Sequence, residues 1–378
     1  MSLPLAALQA GQGGSGTNAI HEFLLGVKPD FVPGQAVPVT TALLAVGIAI
    51  AIVSLATMVG TWLERKVSGH IQCRYGPMRT GWHGWFQPLA DGIKLLLKED
   101  LIPLGADRLL FVLAPAFVLS ALLGAMAAFP IAPGFYFADI NLGIFFIIAM
   151  LSLTTLGVLM AGWSSNSKWS LYGAMREAAQ VVAYEIPLGL SLLVPLMVAG
   201  SFNLIEVSSQ QAGGFGILNW YIWPWVNPIM IPAFLLFSVA VLAENKRAPF
   251  DLPETESELV AGFFTEYSGI RFSFFFMEEY AAMFLFSVVG SIFFFGGFNS
   301  PLTAVFDEGF AFQVAACVTL MAKGLFGLFL MMWVRWTLPR LRIDQVMTMG
   351  YKYLTPLALL CVLLAGAWEG LVAPLYRG

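Results

Sequence analysis

Long apolar runs without charged side chains limit what this chain can fold into. Seven runs are free of Asp, Glu, Lys and Arg: 31–63, 109–138, 140–167, 186–205, 207–243, 280–306 and 353–368. An eighth, 309–334, is interrupted only by Lys323. A helix needs ~20 mostly apolar residues to cross the hydrocarbon core of a bilayer, and 58% of all residues are hydrophobic, more than in soluble domains. The sequence therefore predicts an all-α integral membrane protein.

The runs predict eight transmembrane helices in a single membrane domain over 41–373. The predicted spans lie near 41–63, 109–130, 142–163, 178–200, 229–245, 274–296, 311–334 and 354–373. An extramembrane N-terminal tail, 1–40, and a C-terminal tail, 374–378, flank this domain. The first tail lacks a basic segment followed by an apolar core, so we do not interpret it as a cleaved signal peptide.

Basic residues are concentrated in one set of loops. Loops 64–108, 164–177, 245–273 and 335–353 contain 16 Lys and Arg residues, whereas Lys28 and Arg377 are the two on the opposite side. Basic loops are retained on the cytoplasmic face. Because the number of predicted spans is even, both termini are then predicted to be periplasmic. We expect the membrane to be a bacterial plasma membrane.

A short helix is predicted near 87–98, after the first span. Apolar residues recur at spacings of three and four from just before this helix to its end: Trp82, Trp85, Phe86, Leu89, Ile93, Leu96 and Leu97. Such a pattern is typical of an amphipathic helix lying in the membrane interface. A second interpretation is compatible with the first: beside the turn "RYGP", this helix walls the entrance of a lipid-side cavity.

Acidic residues gather in the segment "ENKRAPFDLPETESELV", Glu244–Val260, which has five carboxylates and two cations. Capping boxes at Asp251–Glu254 and Thr255–Glu258 explain one or two of these acids. The series continues with Glu266, Glu278 and Glu279, and Glu185 lies inside the fourth predicted span. Acids partly removed from water mark ion or proton paths, although a buried carboxylate neutralised by a neighbouring cation is the alternative.

The chain has few residues suited to holding a redox cofactor. Cys73, Cys317 and Cys361 are far apart in sequence, which excludes an iron–sulfur cluster or structural zinc site built from this chain alone. The one G-x-G-x-x-G match, "GQGGSG" at residues 11–16, neither follows a predicted strand nor opens a predicted helix, and no Walker pattern for a nucleotide occurs. We therefore expect any redox cofactor to be bound by a partner.

Four segments together resemble a known family. They are "ERK...GHIQCRYGP...GWFQPLADGIKLLLKED", "SNSKWSLYGAMREAAQVVAYEIPLGL", "AENKRAPFDLPETESELVAGFFTEYSGIRFSFFFMEEY" and "WVRWTLPRLRIDQVMTMGYKYLTPL". They resemble the quinone-site membrane subunit of respiratory complex I, which is the bacterial H subunit of NADH:quinone oxidoreductase and its mitochondrial ND-1 counterpart. The resemblance runs from about residue 41 to 373; residues 1–40 and 200–228 carry none of it.

The resemblance implies a function shared with partners. Quinone would be the substrate, FMN and iron–sulfur clusters would lie in peripheral-arm subunits on the cytoplasmic face, and small and antiporter-like membrane subunits would be neighbours. The implied quinone tunnel comprises Glu64, Arg65, Arg74, Trp82, Trp85, Phe86, Phe275, Phe276 and Met277. The implied proton relay comprises Glu185, Glu244, Asp251, Glu254, Glu256, Glu258, Glu266 and Glu279. Arg176 and Lys323 would be charge partners, no metal is expected, and the role of Glu278 is left open.

Two other classes of function fit part of the pattern. A membrane anchor of a related membrane-bound hydrogenase would share the ancestry of the fold without the same quinone chemistry; the acid-rich run together with "ERK...RYGP" favours the quinone enzyme. A secondary transporter would show an internal repeat with a substrate site at mid-membrane, and no convincing two-half symmetry is visible.

Overall fold

Long helices dominate the computed structural model, which describes residues 37–213, 217–253, 256–306 and 310–372. The helices are α1 (Val37–Ile71), α2 (Gln87–Leu97), α3 (Arg108–Ala125), α4 (Gly143–Ser164), α5 (Lys168–Ala199), α6 (Leu204–Gln210), α7 (Met230–Glu244), α8 (Glu256–Leu259), α9 (Gly269–Phe294), α10 (Phe310–Thr337), α11 (Ile343–Thr348) and α12 (Thr355–Ala367). A π-helical segment, Met349–Leu354, joins α11 to α12, and a second, Trp368–Val372, follows α12. A small antiparallel pair, β1 (Pro130–Ala132) and β2 (Phe135–Tyr136), lies between α3 and α4.

Seven helical segments of the described chain are long and apolar enough to cross a membrane. They include the continuous helical run Ile343–Val372 formed by α11, α12 and their π segments. The fifth predicted span, 229–245, is present as α7, but this helix has only 15 residues. At 1.5 Å per residue, α7 is about 22 Å long, shorter than the ~30 Å hydrocarbon core.

Several helices extend beyond the predicted apolar boundaries. The first predicted span, 41–63, lies in α1, which continues to Ile71. The fourth predicted span, 178–200, lies in α5, which already begins at Lys168. Neither extension contains proline, so nothing interrupts the helical hydrogen bonds. An apolar run indicates how much of a helix is shielded from water, whereas backbone hydrogen bonding determines where the helix ends.

Helix α9 is the central helix of the bundle. In the most apolar stretch of α9, 72% of the residues are buried inside the protein; in that of α1, only 17% are buried. It packs against α1, α3, α7 and α10, while α3, α4, α5 and α7 pack consecutively and α12 packs on α5. Polar side chains on α9 consequently face other protein groups and not lipid.

The short helix α2 occupies the segment in which an interfacial helix was predicted. It begins with proline in its first turn, where the missing N–H costs no helical hydrogen bond. It contacts α1 and α9, and Asp91 of α2 is ion-paired with Arg65 of α1. These contacts hold α2 across the ends of two long helices.

Candidate functional site: an apolar cavity and a buried charge network

A cavity of about 700 Å³ lies between α1, α2 and α9. Its lining includes the apolar or weakly polar side chains of Ser54, Thr57, Met58, Leu89, Ile93, Phe276 and Met277. Its polar lining includes Glu64, Arg65, Arg74 and Tyr280. Ser54 and Glu64 are about 15 Å apart along α1 at 1.5 Å per residue. The cavity can therefore hold an extended molecule with a polar end near Glu64 and an apolar end further along α1.

Glu64 is the acceptor at the polar end of the cavity. Tyr280 donates a hydrogen bond of 2.5 Å to Glu64, and Arg335 of α10 forms an ion pair of 2.7 Å with it. Gly60, one turn earlier on α1, permits this geometry because a Cβ there would lie 2.8 Å from the Tyr280 ring. Glu64 is buried, with 7% relative exposure, so its charge depends on these donors.

Arg247 connects this cavity to the interior of the bundle. Its guanidinium lies 3.2 Å from a carboxylate oxygen of Glu64 and 2.8 Å from one of Glu279. It also lies over the Tyr280 ring, 4.6 Å from the ring centroid. Arg247 is thus a buried cation that pairs with two carboxylates. Glu64 lines the large cavity, and Glu279 is outside its lining.

A second, much smaller cavity of about 10 Å³ adjoins Glu279. Glu244, Lys246 and Glu278 also line it. A cavity of this size is close to the minimum that one water molecule needs. Glu185 of α5 accepts a hydrogen bond from Ser152 and is close enough to Glu244 to interact with it electrostatically.

Lys246 is the cation of this acid cluster. It is ion-paired with the fully buried Glu177 and lies 3.7 Å from Glu278. Burial lowers the pKa of Lys246, but the carboxylates of Glu177 and Glu278 outweigh burial and raise its pKa above the ordinary lysine value. A raised lysine pKa means that the ammonium group of Lys246 stays charged at neutral pH, and that the stability contributed by this charge is lost as the pH rises through the raised pKa.

The predicted tunnel residues divide into two groups. Glu64, Arg65, Arg74, Phe276 and Met277 line the large cavity. Phe275 is not in this lining: its side chain is 1% exposed and packs in a separate core with Phe263 and Tyr267. Successive helical residues point ~100° apart, so Phe275 and Phe276 cannot both face the cavity.

Trp82, Trp85 and Phe86, predicted as part of the tunnel and its mouth, belong with Phe275 to the group that does not line the large cavity. All three are exposed and outside its lining. They precede α2 in an irregular segment in which Gly81, His83 and Gly84 have positive φ angles. Their helical spacing in sequence therefore does not become a helical face in the structure.

The predicted relay acids are only partly brought together. Glu244 and Glu279 line the small cavity, with Glu185 nearby. Asp251 is instead paired with Arg340 at 2.9 Å, and Glu258 with Arg176 at 2.6 Å. Glu266 is half-buried in the loop before α9. Glu254 lies outside the described residues, and for Glu256 the structure describes only its place in α8.

Lys323, predicted as a charge partner of the acids, contacts backbone carbonyls in the described part of the chain. Within the described part of the chain, no carboxylate lies within ion-pair distance of Lys323. Its ammonium group donates to the backbone carbonyls of Phe295, Gly297 and Asn299 at 2.6, 2.8 and 2.7 Å. Lys323 thus caps the carboxyl end of α9.

Replacing Lys323 tests this capping assignment. We expect Lys323→Met to lower the thermal stability of the assembled protein by about 1–3 kcal/mol, because buried carbonyls lose their donors. Turnover per assembled complex should not change. Lys323→Gln, which keeps amide donors, should recover part of the stability. Loss of turnover at normal thermal stability would instead place Lys323 in a proton path.

Sequence reasoning missed the cations and donors that organise the acids. Glu177, Lys246, Arg247, Tyr280 and Arg335 were not assigned to the site, although "NKR" directly follows Glu244. A buried carboxylate needs a counter-ion or several hydrogen-bond donors. The adjacent cations Lys246 and Arg247, in an acid-rich segment, were therefore the signal that could have identified the site.

The described ranges contain no group of three or more His, Cys, Asp or Glu side chains that could hold a metal ion.

The fold and the site define a class: a helical membrane protein in which a large apolar cavity is joined to a buried network of acids and cations. The sequence model of the family "NADH dehydrogenase" matches residues 44–366. The chain belongs to this family, which comprises the membrane-embedded H-type subunits of NADH-quinone oxidoreductase, an oxidoreductase complex.

Similar proteins span nearly the full chain. The NADH-quinone oxidoreductase H subunit of Chlorobaculum tepidum is 44% identical over 313 residues, which cover 82% of this chain and 87% of the relative. NADH-quinone oxidoreductase subunit 8 of Rhodothermus marinus is 42% identical, with 86% and 95% covered. The H subunit of the Bacteroides thetaiotaomicron enzyme is 41% identical, with 92% and 95% covered.

Proposed function

We propose that this chain admits quinone to NADH:quinone oxidoreductase through the 700 Å³ cavity and relays protons through the acid cluster beside it. The observation that carries this proposal is the Glu64–Arg247–Glu279 bridge. It joins the cavity that suits the substrate to the acids that suit proton transfer. A structural anchor would not need either feature.

The cavity suits a quinone with an isoprenoid tail. Ser54, Met58 and Met277 form part of a surface against which an apolar tail can pack. Glu64, Arg65, Arg74 and Tyr280 supply polar groups at the other end, where N–H groups of the two arginines can donate hydrogen bonds to a quinone headgroup. Electrons would come from an iron–sulfur cluster on a peripheral partner subunit, since the chemistry of electron transfer is supplied by cofactors.

Reduction of quinone to quinol uses two electrons and two protons, and transient negative charge develops on the headgroup before the protons arrive. This charge attracts Arg247 toward the cavity and weakens its ion pair with Glu279. Glu279 then takes up a proton that reaches it from Glu185 through Glu244 and Glu278, while the two protons that complete the quinol come from water on the cytoplasmic side. The small cavity supports this route because a single water there can bridge carboxylates.

The loop acids have a different role in this proposal. The pairs Asp251–Arg340 and Glu258–Arg176 fix the loop that carries Lys246 and Arg247 against the helix ends. Glu266 continues the acidic path from this loop toward water, and Glu254 and Glu256 are assigned to the path by the family resemblance alone. We do not assign any of these acids a direct contact with quinone.

The orientation follows from the charge of the loops. We propose that α7 completes an eight-helix membrane domain, that the loops rich in Lys and Arg are cytoplasmic, and that both termini are periplasmic. The peripheral arm with FMN and iron–sulfur clusters then docks on the face that bears α2. Antiporter-like membrane subunits receive the proton signal from the acid cluster.

Narrowing the cavity tests its role as the quinone site. Ser54 lines the cavity, whereas its neighbour Leu55 is 64% exposed and outside the lining. We expect Ser54→Trp to raise KM for a long-tailed quinone about tenfold, because overfilling a packed site costs about 1–3 kcal/mol. KM for a short-tailed quinone should change little, and the matched variant Leu55→Trp should resemble wild type with both.

The outcome that contradicts the proposal is equally specific. If Ser54→Trp assembles normally and reduces long- and short-tailed quinones with wild-type KM values, the tail does not occupy this cavity. Equal losses in Ser54→Trp and Leu55→Trp would point to a general effect of added bulk on α1. NADH-driven quinone reduction by the assembled complex is the measurement in each case.

A further inference from the structure

Two neighbouring cavities form a continuous depression at the ends of α3, α4 and α5. One, of about 330 Å³, is bordered by Asp107, Ser164, Asn166 and Lys168. The other, of about 350 Å³, is bordered by Leu110, Leu159, Met160 and Met175. Trp163 and Leu171 border both cavities. We call this depression the α3–α5 groove; its lining is separate from the proposed quinone cavity and from the acid cluster.

The apolar half of the groove lies just inside the helix ends. Leu110 and Leu171 are in the first turn of α3 and α5, and Leu159 is in the last turns of α4. Trp163 is 70% exposed at the junction of the two halves. Exposed tryptophan is typical of the boundary between hydrocarbon and headgroups, so the groove crosses this boundary.

The polar half of the groove contains one cation, Lys168, and one carboxylate, Asp107. The Asp107 carboxylate accepts hydrogen bonds from Leu109 N (3.2 Å) and Leu110 N (3.5 Å), so it is engaged in capping α3. At α5 the N-cap residue Ser167 makes no side-chain hydrogen bond to the helix. The N–H groups of the first turn of α5 are therefore free of a side-chain cap and lie beside Lys168, and both favour a bound anion.

We propose that the α3–α5 groove is a binding site for one anionic phospholipid. Its phosphate lies against Lys168 and the start of α5, and an acyl chain packs on Leu110, Leu159 and Met175. A free phosphate would leave the apolar half uncovered, whereas an acyl chain without a charged headgroup would leave Lys168 unmatched. One amphiphilic molecule can cover both the polar and the apolar half of the groove at the membrane boundary, whereas a phosphate or an acyl chain alone covers only one half.

The test uses the intact complex, purified in mild detergent and examined by native mass spectrometry. Added lipids are phosphatidylglycerol and phosphatidylcholine with identical acyl chains, and inorganic phosphate serves as a competitor. We expect wild type to retain one phosphatidylglycerol in preference to phosphatidylcholine, and inorganic phosphate should not displace it.

Two variants probe the two halves of the groove. Lys168→Gln should weaken retention of phosphatidylglycerol about fivefold, as expected for one cation near an anionic headgroup. Leu171→Trp fills the junction and should abolish retention of either lipid. Lys352→Gln, which removes an exposed cation elsewhere on the protein, is the matched control and should retain lipid as wild type does.

Several results would overturn the proposal. Unchanged retention in both groove variants would show that the lipid binds elsewhere, and equal retention of the two lipids would show that the groove does not select an anionic headgroup. Displacement by inorganic phosphate would assign a free-anion site. A photo-crosslinker at Met175 should label lipid; labelling of a neighbouring subunit would show that protein covers the groove.

Discussion

Replacing Arg247 with methionine is expected to reduce quinone reduction per assembled complex by about 100-fold. The substitution removes the cation that lies 3.2 Å from Glu64 and 2.8 Å from Glu279. Breaking a buried ion pair by removing one partner costs about 3–5 kcal/mol of stability; the expected 100-fold effect corresponds to a loss of about 3 kcal/mol from the state in which quinone is reduced. Glu64 keeps Arg335 at 2.7 Å, so the larger loss falls on Glu279.

The conservative variant separates charge from geometry at this position. Arg247→Lys keeps the positive charge, but a single ammonium group cannot hold two carboxylates with the planar fork of a guanidinium. We expect activity between those of wild type and Arg247→Met. Activity is measured as NADH-driven quinone reduction, normalised to the flavin content of the purified complex. Wild-type activity in an assembled Arg247→Met complex would show that the bridge does not serve turnover.

Removing Lys246 is expected to destabilise the complex strongly. Lys246→Met leaves Glu177, which is completely buried, without its ion-pair partner. The predicted cost is about 3–5 kcal/mol, enough to lower the yield of assembled complex and its thermal stability. Because the pKa of Lys246 is raised, its ammonium group stays charged around neutral pH, and the stability that this charge contributes should be lost only in the alkaline range, as the pH rises toward the raised pKa.

A double variant provides the control for Lys246. Glu177→Gln combined with Lys246→Met removes both charges, so it should recover much of the stability lost in Lys246→Met alone. Such recovery is the signature of direct coupling in a double-mutant cycle. Strictly additive losses, measured by thermal unfolding of the purified complex, would contradict the ion pair as the source of the effect.

The sequence predicted the helices well where apolar length alone decides. Each predicted span overlaps a helix of the structure because ~20 apolar residues have few alternatives in lipid. The ends were less predictable: nothing in the composition of 64–71 or 168–177 marks them as helical. Helix α7 also shows that an apolar run can contain a helix too short to span on its own.

The site was predicted unevenly because its contacts join distant parts of the chain. Glu64, Arg247, Tyr280 and Arg335 come from α1, the loop after α7, α9 and α10. Their pairing depends on how these helices pack, which a single sequence does not reveal. The uniformly apolar run around Phe275 likewise gave no sign of which face would meet the cavity. Acids were easier to recognise, because charge is costly in lipid wherever it occurs.

The central claim is that quinone reduction changes the protonation of the acid cluster through Arg247. Infrared difference spectra of the intact complex, recorded before and after NADH-driven reduction of bound quinone in ordinary and heavy water, report carboxyl protonation most directly. We predict a carboxyl signal that is lost in Glu279→Gln and retained in Asp251→Asn, which alters an acid of the loop. An identical signal in wild type and assembled Glu279→Gln would contradict the account.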